Sequence, residues 1–548
     1  MKKDTKAIAI RTEDPTHPFE MPQNDVDERL KASWKKNRRE LEEFMSSDRF
    51  KYNSRPYTAS QVAPLRNSFP FTYPSTAMAS KLYDILRDSF DRREFIHTWG
   101  AIDPVQVINL SKHLKTVYVS GWQCSTMASS SLEPGPDFAD YPANTVPNKV
   151  HQLYKAQLYH DIRQSEERSR MSEQARRENP AHDFMAPMIA DADTGFGGPT
   201  SVMKLTKMFI ESGAAGIHIE DQRVGAKKCG HMSGKVLVST REFINKLISI
   251  RLQADICGSP LVIIGRTDSL SARLIDSNID PVDQPYILGI WNSSMPDDLK
   301  TYPEAGEQLI GQFFSHDQDL MNQKLRAWRS IIYECSLVQA KKLAEKLGFA
   351  LYFDWDAPRT CEGFYPLKGQ DVNFTVHRVR QYAKYCDLVW VETDTPDLKV
   401  AEQLATGIHK TNPHTMLAYN LSPSFNWDAF KMGDEQIKNF SRDLGRMGWV
   451  FHFITLAGFH MNSLVSEVFS RLYAKDSMLA YVEYIQRKEK REGVDQLKHQ
   501  KWSGSELADR LMTLGTFEVS TISSGSESTE HQFDPLAMLE KQKNLSSN

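Results

Sequence analysis

The sequence predicts an α/β fold: a (β/α)8 TIM-type barrel with an N-terminal helical extension and an inserted helical subdomain. Three observations lead there. Short, nearly continuous apolar runs recur between amphipathic segments across residues 78–504, as expected of strands buried on both faces of a parallel sheet. The eight runs outnumber what a doubly wound sheet usually needs, and neither G-x-G-x-x-G nor G-x-x-x-x-G-K occurs, so the dinucleotide-binding and P-loop readings are poor. The repeat is broken once, over residues 269–348, by about eighty residues where a crossover needs only a dozen or more.

Taken in order, residues 1–77 read as a polar tail followed by a helix near 25–46. Residues 78–268 form the first part of the barrel, with strands expected at 117–121, 187–191, 215–220 and 261–266. Residues 269–348 are the helical insertion, with helical material at 312–346. Residues 349–504 complete the barrel, with strands expected at 351–356, 388–392, 416–420 and 451–455, and a helix follows at 461–487. Residues 505–548 are a C-terminal tail that is rich in Ser, Thr and Glu from 518 onward.

Composition narrows the function. Among 548 residues, 67 basic side chains against 70 acidic ones leave a net charge of −3, which gives no overall field for nucleic acid. Apolar residues are 40% of the chain, enough for an ordered protein, yet no stretch supplies the ~20 apolar residues of a membrane span. Six cysteines without a framework of close pairs favour a reducing compartment. The N-terminal MKKDTKAIAIRTEDP lacks the apolar run of a secretory signal, and the terminal Ser-Ser-Asn is not the peroxisomal Ser-Lys-Leu. The cytosol is therefore the first expectation, with mitochondrion and peroxisome as alternatives.

The ends of the predicted strands carry the chemistry, because in such a barrel they converge on one face. Asp191, Asp193 and Glu220, with Asp137 or Asp140 from the loop after the first run, form an oxygen-rich set suited to Mg²⁺, with Mn²⁺ as the other candidate. Helix capping is the bland alternative. Zinc is disfavoured because neither H-E-x-x-H nor Cys/His ligand spacing is present. Cys229, between lysines and a histidine in Lys227-Lys228-Cys229-Gly230-His231, is expected at a lowered pKa and in position to exchange a proton with a substrate carbon. Arg266 offers a planar fork for a carboxylate, or else a structural ion pair with Asp268 or Glu220. Asn420, Ser422 and Ser424, near Thr455, provide uncharged donors for a second carboxylate, or else turn chemistry ahead of Pro423. The glycines of Gly195-Phe196-Gly197-Gly198 are a weak anion cradle. Trp122, Trp390 and Phe453 line the pocket or belong to the core.

Several segments resemble the isocitrate lyase family, within the phosphoenolpyruvate mutase and isocitrate lyase superfamily. They are KKCGH (227–231), SGWQ (120–123), GAAGIHIEDQ (213–222), GRTD (265–268), YNLSPSFNW (419–427), FITLAG (453–458) and HQKWSG (499–504). The resemblance implies Mg²⁺-dependent cleavage of isocitrate to glyoxylate and succinate, as in the glyoxylate cycle, by a homotetramer whose subunits exchange helices. It places Asp137, Asp191, Asp193 and Glu220 around the metal and Ser120, Gly121 and Trp122 at the glyoxylate moiety. Gly230, His231, Arg266, Glu392, Asn420, Ser422, Ser424 and Thr455 fall to the rest of the tricarboxylate. Cys229 is then the proton donor, His231 stands beside it, and Tyr118 is the candidate base. Phe453 and Thr455 match the pattern for isocitrate over 2-methylisocitrate. The tail at 520–533 departs from the family's lid sequence, which leaves a weakly active or non-catalytic homologue as a further alternative.

Overall fold

The computed structural model describes residues 23–69, 71–369, 371–516 and 529–533. The N-terminal tail and most of the departing 520–533 segment lie outside the described residues.

Eight parallel strands form the barrel: β1 (Ile96–Trp99), β2 (Val117–Val119), β3 (Met188–Asp191), β4 (Gly216–Glu220), β5 (Val262–Thr267), β6 (Leu388–Val391), β7 (Met416–Asn420) and β8 (Trp449–Ile454). Their order around the sheet is β1-β8-β7-β6-β5-β4-β3-β2, and a parallel bridge from Gly100 to Tyr118 joins the two ends. Every pairing is parallel, as the lack of polar alternation in the apolar runs requires.

Seven of the eight expected strands are where the sequence puts them, and one is not. Residues 351–356 are not a barrel strand. Leu351 and Phe353 join Trp328, Tyr302 and Phe349 in the core of the inserted helices, and this aromatic clustering imitates a strand in the sequence. The missing strand is β1, whose Ile-His-Thr-Trp contains a single aliphatic residue. It is held by register with Phe451–Ile454 of β8, so its neighbours rather than its own hydrophobicity make it a strand.

The inserted helices Tyr302–Phe313, Gln318–Arg329 and Leu337–Leu347 close around Trp328, which is fully buried and donates from Nε1 to Pro303 O at 2.9 Å. Gly306 makes this possible: a Cβ there would lie 2.1 Å from the indole ring. Thr301 and Glu304 cap the first of these helices reciprocally.

Inside the barrel, inward side chains such as Tyr118, Ile189, Ile264, Trp390, Ala418 and Phe453 share a core with Leu82, Leu86 and Phe90. The last three belong to the helix Ser75–Asp91, which thereby plugs the N-terminal mouth and leaves the opposite face for the site. Beside that mouth, Asp387 receives Arg49 at 2.6 Å and Arg251 at 2.8 Å, together with the Ile263 N–H at 2.9 Å. Burial would raise its pKa, but the two guanidiniums outweigh that and hold it at about 2. Its stabilising contribution is thus full above the ordinary aspartate pKa and lost as pH falls through about 2. Asp387→Ala strands two arginines, one of them fully buried, and should cost about 3–5 kcal/mol in a urea titration of unfolding.

Among the described residues, no helix is long and apolar enough to cross a membrane.

Candidate active site

The C-terminal ends of β2, β3 and β4 and the loops after them build a buried acidic cluster. One oxygen from each of Asp137, Asp191 and Asp193 lies within 4.8 Å of the others. Asp140, the sequence's other candidate, is exposed. Asp193 sits in the left-handed region at φ 47°, which aspartate tolerates better than most residues, and its N–H donates to Asp191 Oδ1 at 2.9 Å. Gly121 brings its N–H to 3.0 Å from Asp191 Oδ2. A Cβ on Gly121 would stand 2.7 Å from that oxygen, so only glycine allows the approach. Tyr141 donates to Asp193.

Lys227 reaches into the cluster, 2.5 Å from Asp137, 2.8 Å from Asp193 and 3.8 Å from Glu220. The cation does not neutralise it. Burial, and then the charge of Asp193, push both Asp137 and Asp191 up to about 7. Asp193 is held below the usual range, because Lys227 and the hydrogen bonds to it outweigh burial. Burial raises Glu220 well above the usual range despite Arg266 and Lys227.

Arg266, at the end of β5, ties the second half of the site together. It lies 3.1 Å from Glu220, 3.1 Å from Asp268 and 3.6 Å from Glu392, with its guanidinium stacked 4.3 Å from the Trp390 ring centroid. The ion-pair reading of the sequence is therefore present, while the same side chain also lines the cavity. Glu392 follows β6 and receives Asn420 Nδ2 at 3.1 Å, and His231 Nε2 lies 3.1 Å from it.

The structure brings Tyr118, Ser120, Trp122, Asp137, Asp191, Cys229, Gly230, His231, Arg266, Glu392, Asn420, Ser422, Ser424 and Thr455 around one cavity. Gly121, Asp193 and Glu220 lie behind this surface. Gly121 is occupied with Asp191 and the other two with Lys227. Phe453 is one layer deeper, its ring centroid 4.5 Å from Tyr118 and 4.9 Å from Trp390. The Gly195–Gly198 stretch contributes nothing to the cavity, and Gly195 packs on Val202 and Ile219. Tyr118 is hydrogen-bonded to His218 at 2.9 Å, and His218 Nδ1 is 3.5 Å from Asp191.

One expectation is reversed. Burial raises the Cys229 thiol, outweighing the nearby His231 backbone bond and the charges of Arg266 and Lys227. The sequence shows the cations beside this cysteine but not the carboxylates that engage them. Sequence reasoning passed over Tyr141 and the bridging role of Lys227. Lys227 stood in the motif itself, whereas Tyr141 carried no local signal.

The donor set fits a hard divalent ion. Among the described residues, six buried carboxylates (Asp137, Asp191, Asp193, Glu220, Asp268 and Glu392) meet three lysine or arginine side chains, Lys227, Lys235 and Arg266, besides His218 and His231, and Asp137 Oδ1 is buried without a hydrogen-bond partner. Such an arrangement accepts positive charge.

The family model "Isocitrate lyase family" matches residues 37–309 and 295–533. Isocitrate lyase of Oryza sativa subsp. japonica is 43% identical over 94% of this chain and 96% of its own length. That of Saccharomyces cerevisiae is 42% identical over 92% and 96%. The mitochondrial 2-methylisocitrate lyase of Hypocrea atroviridis is 40% identical over 90% and 93%. These matches span nearly the whole chain, and the chain belongs to the isocitrate lyase family.

Proposed function

We propose that this protein cleaves isocitrate to glyoxylate and succinate with Mg²⁺, as a homotetramer. The observation that carries this reading is the position of Cys229 on a cavity that also presents Asp137 and Asp191 of the acidic cluster and the polar set Arg266, Asn420, Ser422 and Ser424. That arrangement supports a proton donor and a metal site serving one small polyanion.

Asp137, Asp191, Asp193 and Glu220 would surround the ion, directly or through water. The chemistry a divalent ion supplies there when bound is stabilisation of oxygen charge on the glyoxylate side. Ser120 and Trp122 bound the cavity beside that position. Burial keeps the Tyr118 phenol protonated, so Tyr118 takes the C2 hydroxyl proton as it passes its own to the neutral His218, to which it is hydrogen-bonded. The C2–C3 bond then breaks in retro-aldol fashion, and its electron pair passes to the succinate fragment as an aci-carboxylate. Arg266, His231, Asn420, Ser422, Ser424 and Thr455 bind that fragment and stabilise its charge. Cys229 delivers a proton to the carbon and completes succinate. The raised pKa of the thiol suits this role, because a proton donor must enter the step protonated.

Assembly is supported by the helix Ala457–Asp476, in which only Gly458 is buried. Leu464 is 64% exposed, and beyond the helix so are Met478 at 56% and Leu511 at 61%. An apolar surface of this kind is usually covered by another subunit.

A second reading, 2-methylisocitrate cleavage to pyruvate and succinate, draws support from the identity to the Hypocrea enzyme. Purified protein incubated with either substrate, with and without Mg²⁺, should release glyoxylate from isocitrate only with the ion, identified by mass. Preferential pyruvate release from the methylated substrate would select the second reading. Silence from folded, metal-loaded protein would overturn both.

A further inference from the structure

We infer that Gln222 and Lys235 are positioning residues that hold the loop 227–235 down on the cavity and so fix Cys229 at the reacting carbon; this rests on the lyase reading above. Neither residue lines the cavity, and both are buried.

Gln222 grips the loop as a neighbouring strand would. Its Oε1 accepts the Lys228 N–H at 3.0 Å and its Nε2 donates to Lys228 O at 2.8 Å, so one side-chain amide satisfies both backbone groups of the residue before Cys229. Lys235 takes the residue after it. Its ammonium donates to Gly230 O at 2.5 Å, to Asp268 Oδ1 at 3.1 Å and to the Ser271 hydroxyl. Burying a lysine is costly unless its donors are used, and here one of them is used on a loop carbonyl.

The loop needs both grips. Gly225 and Gly234 have φ values of 81° and 80° with open space around each, and Met232, Ser233 and Gly234 are exposed. Between them Gly230 is pressed down so closely that a Cβ would stand 2.7 Å from Arg266 Nη2 and 2.9 Å from Glu392 Cδ. The thiol of Cys229 is thus placed by two residues that never meet the substrate. Removing Lys235 leaves Asp268 paired with Arg266, so the loss falls on the loop rather than on the barrel.

The test uses the full-length protein with Gln222→Met and, separately, Lys235→Met. Iodoacetamide labelling is followed by peptide mass mapping, with exposed Cys361 as the reference and buried Cys124, Cys257, Cys335 and Cys386 as reporters of general loosening. Each variant should label Cys229 about ten- to a hundred-fold faster, relative to Cys361, while the four buried cysteines keep their wild-type rates. The kcat for isocitrate should fall by a similar factor, with KM moving much less. An unchanged Cys229 rate, an unchanged kcat, or faster labelling of all the buried cysteines together would overturn the inference. Should the wild-type protein not cleave isocitrate, the labelling arm alone decides whether the two grips hold the loop, so the two failures are separable.

Discussion

Cys229→Ser is expected to lower kcat by about a thousand-fold while substrate binding changes only a few-fold, within the range found when a general acid is removed. The thiol lines the cavity, and burial keeps it protonated through neutral pH. It therefore enters the step as the acid that the succinate carbon requires. Serine keeps the shape and the hydroxyl proton, but it is a far weaker acid, so the loss falls on the step and not on the site. The sign of the pH dependence follows. An acid must be protonated, so the rate should hold as pH rises and decline only above the ordinary thiol range of about 8.5. That alkaline limb should vanish in the variant. Steady-state release of glyoxylate, with calorimetry of succinate binding as the control for folding, measures both quantities. Activity within ten-fold of the wild type would transfer the proton to another group, and His231, two residues along the same loop, would be the next to replace.

The fold was legible where apolar runs were continuous and illegible where neighbours supply the burial. Val-Ile-Ile-Gly-Arg-Thr of β5 is buried throughout and declares itself. Ile-His-Thr-Trp of β1 shows a mixed burial pattern and becomes a strand only because β8 and the Gly100 bridge leave it a slot. The 351–356 run shows the converse, for its aromatic residues serve a helical core. In the site, residue types at strand ends were informative because the barrel brings those ends together. The distances they reach after folding were not. Lysines beside Cys229 suggested a lowered thiol pKa, yet Lys227 turns away to Asp137 and Asp193 and the thiol is left to the effect of burial. Gln222 stood at the end of the GAAGIHIEDQ motif without its role showing, and Lys235 lay outside the family-like motifs, since an amide or an ammonium that holds a loop looks in sequence like any other polar residue.

Stripping divalent metal should abolish cleavage, and the affinity for re-added Mg²⁺ should rise by roughly two to three orders of magnitude between pH 5.5 and pH 7.5. Asp137 and Asp191 each stand at about 7 without metal, raised by burial and by Asp193, so below that pH the ion must displace protons that it need not displace above it. The stability of the metal-free protein should show the matching sign. A carboxyl whose folded pKa is raised binds its proton more tightly in the folded state, so its contribution favours folding least above about 7 and more as pH falls toward the ordinary aspartate value near 3.9. Asp387, held down at about 2, runs the other way but acts only below pH 4, outside this window. Thermal unfolding with and without Mg²⁺ at the two pH values, read beside the glyoxylate assay, checks the whole chain of reasoning. The midpoint should rise on adding the ion, and by clearly more at pH 7.5 than at pH 5.5. Asp193→Asn should remove most of that rise, because it takes a charge from the carboxylate that Lys227 and Tyr141 hold in place. An equal rise at both pH values would mean that the cluster is already ionised when empty. No rise at either pH would mean that the buried carboxylates owe their place to something other than a metal.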